Sequence, residues 1–328
     1  MFKAFGMVGA AFAPASLAYL FCGCFLGIVV GALPGLTATM AVSLLVSLTY
    51  SLDRTSALAM LISVYLGAIY GGSRSAILLN VPGTPSSAAT ALDGFPLAKK
   101  GEGPLASIVA TSVSAGGGMF GLLALLFTTP MIAALSLKFG VWEYFWLAMF
   151  GVVIASSLTT STFIKGLIAG LLGLFFSYIG MDEIHGFARF TFGRTSFMGG
   201  ISLVPAMIGL FGFAEAIDSI MAPESHLIKD TGEKKQSLWQ MTMTSFKMML
   251  TPPGLGVFIR SSIIGTIIGA IPGVGPDIAS WTAYGAAKRT SKHPEKFGNG
   301  SYEGLMASET ANNAACSGVF IPLLTLGI

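Results

Sequence analysis

Between Lys3 and Asp53 the chain has no Asp, Glu, Lys or Arg. The same holds from Gly103 to Leu137, Tyr144 to Ile164, Gly166 to Met181, Thr195 to Ala214, Ser261 to Pro276 and Thr310 to Ile328. Charged residues make up only 10% of the 328 positions, whereas a soluble domain carries about 25%. A water-soluble fold has too little interior to hide that much apolar surface, so lipid is the solvent for most of the chain. A spanning helix needs about 20 predominantly apolar residues, and the runs predict about eight to ten crossings, two of them in the first run. The strict alternation of a membrane-spanning barrel is missing, which leaves an all-α polytopic membrane protein.

Other absences narrow the function. The net charge of +3 is too small for a nucleic-acid partner. Cys22, Cys24 and Cys316 lie in apolar runs at a spacing that suits neither zinc nor a redox pair, and they read as inert core residues. The three histidines, His185, His226 and His293, fall in polar loops. No His-Glu-x-x-His, Gly-x-Ser-x-Gly or phosphate loop occurs, so the sequence offers no enzyme motif and no cofactor site. Lys3, an apolar stretch and Ala11-Phe12-Ala13 have the outline of a signal peptide. The apolar sequence resumes through Tyr19 to Leu33, so the segment reads as a retained first helix.

Glycine, by contrast, is plentiful, with 42 residues. Gly23, Gly27, Gly31 and Gly35 recur at every fourth position, a stripe that lets membrane helices approach closely. The stripe belongs to a repeat. Residues 27–36 (GIVVGALPGL) match residues 265–274 (GTIIGAIPGV) at a spacing of 238, from Gly27 to Gly265 and from Pro34 to Pro272. Duplicated segments with helix breakers in equivalent positions are the signature of inverted-repeat secondary transporters. The predicted organisation is a first transmembrane repeat over 1–217, a polar linker over 218–247 and the start of a second, incomplete repeat over 248–328. Leu238, Trp239, Phe246 and Met249 give the end of the linker the pattern of an interfacial amphipathic helix.

Loop charge predicts orientation. Lys99 and Lys100 place one polar loop in the cytoplasm, and Lys288, Arg289, Lys292 and Lys296 place another there. Asp53-Arg54, the counterpart of the second loop by repeat position, has no basic excess and is expected on the other side.

Four segments put helix breakers or amides inside apolar sequence. They are Pro34-Gly35-Leu36-Thr37, Asn80 to Pro85, Pro272 to Asp277, and Asn312-Asn313. Proline removes a donor and disrupts the helix ladder, and the freed backbone groups survive at membrane depth only where protein or a wet cavity satisfies them. Re-entrant helices starting there would aim positive helix ends at an anion, and unwound carbonyls near Gly35, Gly273 and Asp277 would suit Na+. The candidate substrate-binding residues are Pro34, Gly35, Thr37, Thr39, Ser73, Asn80, Pro82, Gly83, Thr84, Pro272, Gly273, Gly275, Asn312 and Asn313, with Ser86 and Ser87 nearby. Asp277 is the candidate ion-coupling residue, because a carboxylate at membrane depth costs about 2.5–3.5 kcal/mol on insertion scales; its bland reading is a helix cap. Arg74 either pairs with a substrate carboxylate or snorkels to the interface.

These motifs resemble the large membrane subunit of tripartite tricarboxylate transporters, the TctA family. The resemblance rests on Gly31 to Thr37, Tyr70 to Ser73, Ile77 to Pro85 and Asp93 to Gly101. It continues through Ile271 to Asp277, Ala287 to Arg289, Pro294 to Gly298, Glu309 to Ala314 and Ile321 to Ile328. It covers most of the chain from about Tyr19. It implies a multi-pass permease of the bacterial inner membrane, working with a small membrane subunit and a periplasmic solute-binding protein. The implied activity is symport of citrate or related carboxylates driven by Na+ or H+. Two features depart from the pattern. Arg74 carries charge where members are expected to be uncharged. The chain also ends just before the second repeat's counterpart of the Asn80-to-Pro85 hairpin, which implies roughly the first two-thirds of a family member. A non-transporting membrane scaffold, or a truncated fragment of such a permease, is the alternative.

Overall fold

The computed structural model describes residues 12–33, 36–136, 163–182, 185–201, 237–271 and 274–326, with isolated positions between 138 and 149 and between 206 and 221. Ten helices carry the described fold: α1 (Pro14–Ala32), α2 (Ala38–Leu45), α3 (Arg54–Leu79), α4 (Ala88–Leu97), α5 (Gly103–Ser136), α6 (Phe163–Ser177), α7 (Leu238–Leu250), α8 (Pro252–Gly269), α9 (Gly275–Thr290) and α10 (Tyr302–Leu326). The strands β1 (Gly180–Met181) and β2 (Ala188–Arg189) form one short antiparallel ribbon. The all-α membrane reading is therefore correct apart from this ribbon. Among the described residues four helical stretches are long and apolar enough to cross a membrane: Pro14–Ala32, Arg54–Leu79, Pro85–Ile132 and Pro252–Gly269.

The first apolar run is expected to cross twice. By length it holds one such helix, α1, followed by the shorter apolar helical stretch Ala38–Ser51, made of α2 and a 3-10 continuation. This stretch returns the chain from the end of α1 to the start of α3, where Ser16 of α1 meets Ser56 (3.2 Å). Asp53 then starts α3 by accepting the amides of Thr55 (3.0 Å) and Ser56 (3.2 Å). Ser56 and these amides hold its carboxyl below the usual carboxylate range.

Helix direction follows from contacts. A Cβ on Gly27 would collide with the carbonyl of Val64, and one on Gly31 with that of Ala68, so α1 and α3 run parallel at backbone contact. Equivalent contacts recur later in the chain: Gly265 lies on the Ala311 carbonyl and Gly269 on that of Ala315. Thus α8 and α10 are also parallel. The first partners are spaced by 238 residues (27 to 265, 31 to 269) and the second by 247 (64 to 311, 68 to 315). Between the two groups, Ser73 of α3 meets Glu309 of α10 and Tyr65 meets Phe320, so α3 and α10 run antiparallel.

The packing is inside out relative to a soluble protein. Buried positions are dominated by Ala, Gly and Ser, such as Ala68, Ala110, Ala283, Ser262 and Ala311, while Phe21, Phe25, Leu126, Phe127, Ile164 and Ile168 are exposed. Lipid removes the penalty for outward apolar side chains, and small interior residues bring backbones together. Cys316 is buried as expected, but Cys22 is exposed on α1 and Cys24 half-buried, on a face of α1 that also exposes Phe21 and Phe25.

The predicted interfacial helix is α7. It exposes Leu238 and Trp239 and buries Met241 and Ser245. The domain boundary read at 247/248 falls inside α7, and the boundary at 217/218 adjoins positions outside the described residues. His185 and His293 are exposed in loops; His226 lies outside the described residues.

Candidate functional site

The segment after α3 is built to turn back into the bundle. Asn80 ends α3 in the left-handed conformation (φ 58°), a stop its short amide side chain tolerates. The chain then extends until Thr84 caps the short turn Pro85–Ser87. The Thr84 amide donates to Ser87 Oγ (3.3 Å), and Ser87 Oγ donates to the Thr84 carbonyl (2.7 Å). Thr84 Oγ1 also bonds Ser86 Oγ (2.9 Å). Gly83 is wedged between the Gly31 carbonyl at the end of α1 and Gly72 of α3, where any Cβ would collide. Three residues on, the turn Pro85–Ser87 packs against α9, with the Ser86 backbone facing Asp277 in its first turn. The segment from Gly83 to Ser86 therefore bridges the end of α1 and the start of α9, the two elements that flank the predicted Pro-Gly breaks.

Pro34, Gly35, Pro272 and Gly273 lie outside the described residues. The flanking residues show the local logic. Gly275 adopts φ 66° to open α9, and Pro276 follows it in the first turn. Thr37 caps α2 by accepting the Met40 amide at 3.2 Å, so its oxygen is used locally. Thr39 and Asn80 have exposed side chains, Pro82 is half-buried, and Ser73, Gly83 and Thr84 are buried. Asn313 is buried and donates to the Glu309 carbonyl (3.0 Å). Asn312 is fully buried with neither amide atom paired, an unusual state for an amide. One turn on, Cys316 packs among Ala38, Ala41, Val64 and Ala68, so this face of α10 looks onto the α1–α2–α3 unit. The fold thus gathers Gly83, Thr84, Ser86 and Asp277 at one locus, while Thr39 and Asn80 are exposed.

Arg74 turns toward α5, away from this locus. It stacks on Tyr70 (4.4 Å to the ring centre) and donates to the Ser107 carbonyl and to Thr111 Oγ1 of α5. Its Nε and Nη2 are buried without partners.

Two carboxylates hold the α3–α4–α5 region to the later helices, and neither entered the sequence-based site. Glu309 is fully buried on α10. Its Oε1 accepts from Ser73 Oγ (2.7 Å) and Thr90 Oγ1, and its Oε2 accepts from Ser114 Oγ (2.9 Å). The three hydroxyls come from α3, α4 and α5. Asp93, on α4, accepts through Oδ1 from the amides of Gly298 (2.9 Å), Gly300 (2.9 Å) and Ser301 (2.8 Å). Positive φ at Gly298 (88°) and Gly300 (97°) curls the loop around the carboxylate, forming an anion nest at the N-terminus of α10. Lys100 Nζ donates to the Asn299 carbonyl (2.6 Å) and Tyr302 Oη to Glu102 (2.7 Å), so both lysine-bearing loops meet at one end of the bundle. Glu309 marks only the edge of a charge-free run in the sequence. Its signal is an acidic residue amid Leu305, Met306, Ala307, Ala311 and Ala314, with no turn residue beside it.

Among the described residues no basic side chain pairs with Asp93, Asp277 or Glu309. A separate cavity of about 460 Å³ lies at the far end of α8, lined by Arg260, Lys292, His293 and Glu303.

The family model described as tripartite tricarboxylate transporter TctA family matches residues 17–328. An Agrobacterium vitis protein described as an uncharacterized 52.8 kDa protein in the TAR-I ttuC' 3' region is 39% identical over 319 residues. That match covers 97% of this chain and 62% of the relative, so the chain spans less than two-thirds of the relative's length. A second A. vitis protein, from the TAR-II ttuC' 3' region, is 50% identical over 64 residues, covering 20% of this chain and 26% of that protein. No solved structure matches the chain.

Proposed function

Because the chain belongs to the tripartite tricarboxylate transporter TctA family, we propose that it is permease sequence of an ion-gradient-driven carboxylate uptake system. In this reading a periplasmic solute-binding protein delivers a citrate-like carboxylate to the permease in the bacterial inner membrane. A small membrane subunit completes the complex, and Na+ or H+ symport drives uptake.

The observation that carries this reading is the bridge from Gly83 to Ser86. It touches the end of α1 through Gly31, and its Pro85–Ser87 turn packs against α9, which carries Asp277 in its first turn. Interrupted helices that meet inside a bundle expose backbone donors and acceptors where a polar solute binds. The Thr84 and Ser86 hydroxyls, which bond one another here, are groups that could turn toward carboxylate oxygens. Asp277 beside them is the proposed coupling residue.

Inverted repeats are supported by two sets of contacts. The α1–α3 and α8–α10 pairs share the same glycine-on-carbonyl packing, and their third helices, α3 and α10, run antiparallel. A pair of inverted units is the architecture that alternates access around a central site.

The test is uptake of labelled citrate and C4 dicarboxylates by the full-length protein, with and without its binding protein. Uptake that needs the binding protein and an imposed ion gradient is expected. Absence of uptake and of binding for every carboxylate refutes the reading.

A further inference from the structure

We propose that Glu309, with Ser73, Thr90 and Ser114, forms a Na+ site between α10 and the α3–α4–α5 group. This rests on the ion-driven reading above, and it places a cation away from the Pro-Gly breaks where the sequence points.

Glu309 is fully buried, and no basic side chain pairs with it among the described residues. Neutral hydroxyls solvate a buried carboxylate without cancelling its charge, so a cation beside it is favoured. Three hydroxyls from three helices converge on its two oxygens. Together they make a shell of five oxygens drawn from four helices. Oxygen shells of this kind suit hard cations, and a single formal negative charge suits a monovalent one; divalent ions draw on more carboxylates.

The hydroxyls now donate to Glu309 and must turn their lone pairs inward when a cation enters. Two of them have a second acceptor in reach. Ser73 Oγ lies 3.4 Å from the Ile69 carbonyl, and Thr90 Oγ1 lies 3.4 Å from Ser308 Oγ. Rotation therefore leaves neither proton stranded. An independent observation points the same way. Asn312, one turn along the same face of α10, is fully buried with Oδ1 and Nδ2 both unpaired. Its carbonyl oxygen is a further ligand of the right type on the same helix.

The consequence is mechanical. A cation held here ties α10 to helices of the other repeat, so its arrival and departure bias how the two repeats pack.

The experiment reads cation binding without transport. Melting of the purified protein in detergent is followed as NaCl replaces choline chloride at constant ionic strength. The wild type is expected to gain stability with Na+, by about 5 °C at saturation. Glu309→Gln is expected to lose this response. Ser114→Ala and Thr90→Val each remove one ligand and leave the carboxylate; they are expected to raise the half-effect Na+ concentration about 3- to 10-fold. These two variants decide the matter if Glu309→Gln does not fold. A wild type that does not respond to Na+, or a half-effect concentration unchanged in both ligand variants, overturns the site. Citrate uptake that fails while Na+ binding follows this pattern refutes the functional reading and leaves the cation site standing.

Discussion

At the scale of single residues, a buried carboxylate persists only where donors surround it. Asp93 has three backbone amides and Glu309 three hydroxyls. Removing Asp93 would leave those amides, which also open α10, without an acceptor. Asp93→Ala is expected to cost about 3–5 kcal/mol, with Asp93→Asn milder because an amide oxygen still accepts. Unfolding in mixed micelles would measure both, and equal stability of Asp93→Ala and wild type would contradict the nest. A second prediction concerns Ser86. Because Asp277 faces the Ser86 backbone rather than its side chain, Ser86→Ala should lower uptake by the full-length protein less than Asp277→Asn does.

At the scale of helices, close packing sets the architecture. Gly31 and Gly269 sit at equivalent positions, each against a carbonyl of the third helix of its unit. Gly31→Val and Gly269→Val should each destabilise by about 1–3 kcal/mol, by comparable amounts, since each forces a parallel helix pair apart. A markedly unequal effect would argue against equivalent units. The helix breaks belong to this scale too. The Pro-Gly pairs were legible in the sequence because proline and glycine interrupt a ladder wherever they stand. That the return after α1 is the shorter stretch Ala38–Ser51 and not a helix of full spanning length was not legible, because apolar composition is the same for both.

At the scale of the whole molecule, the lysine-bearing loops meet where Lys100 bonds the Asn299 carbonyl. Lys100→Cys with Asn299→Cys should therefore crosslink. A label at residue 53 should report from the opposite side of the membrane to one at residue 292, because α3 and α10 are antiparallel and these positions precede them. Same-side labelling would exclude the inverted arrangement.

The sequence alone determined the solvent, the helical class, the repeat and the family, because charge-free runs, glycine spacing and ordered motifs are local properties of the chain. It also marked Asp277 and the Asn80-to-Pro85 segment, since polar and helix-breaking residues stand out against apolar neighbours. Only the tertiary structure decided which polar groups meet. Thr39 and Thr37 read like Thr84 in sequence, yet one is exposed, one is used as a cap and only Thr84 joins the bridge. Glu309 and its hydroxyls lie up to 236 residues apart, and nothing local at Ser73 foretells its partner. Such pairings depend on how closely helices approach, and that distance is set by long-range packing of small residues.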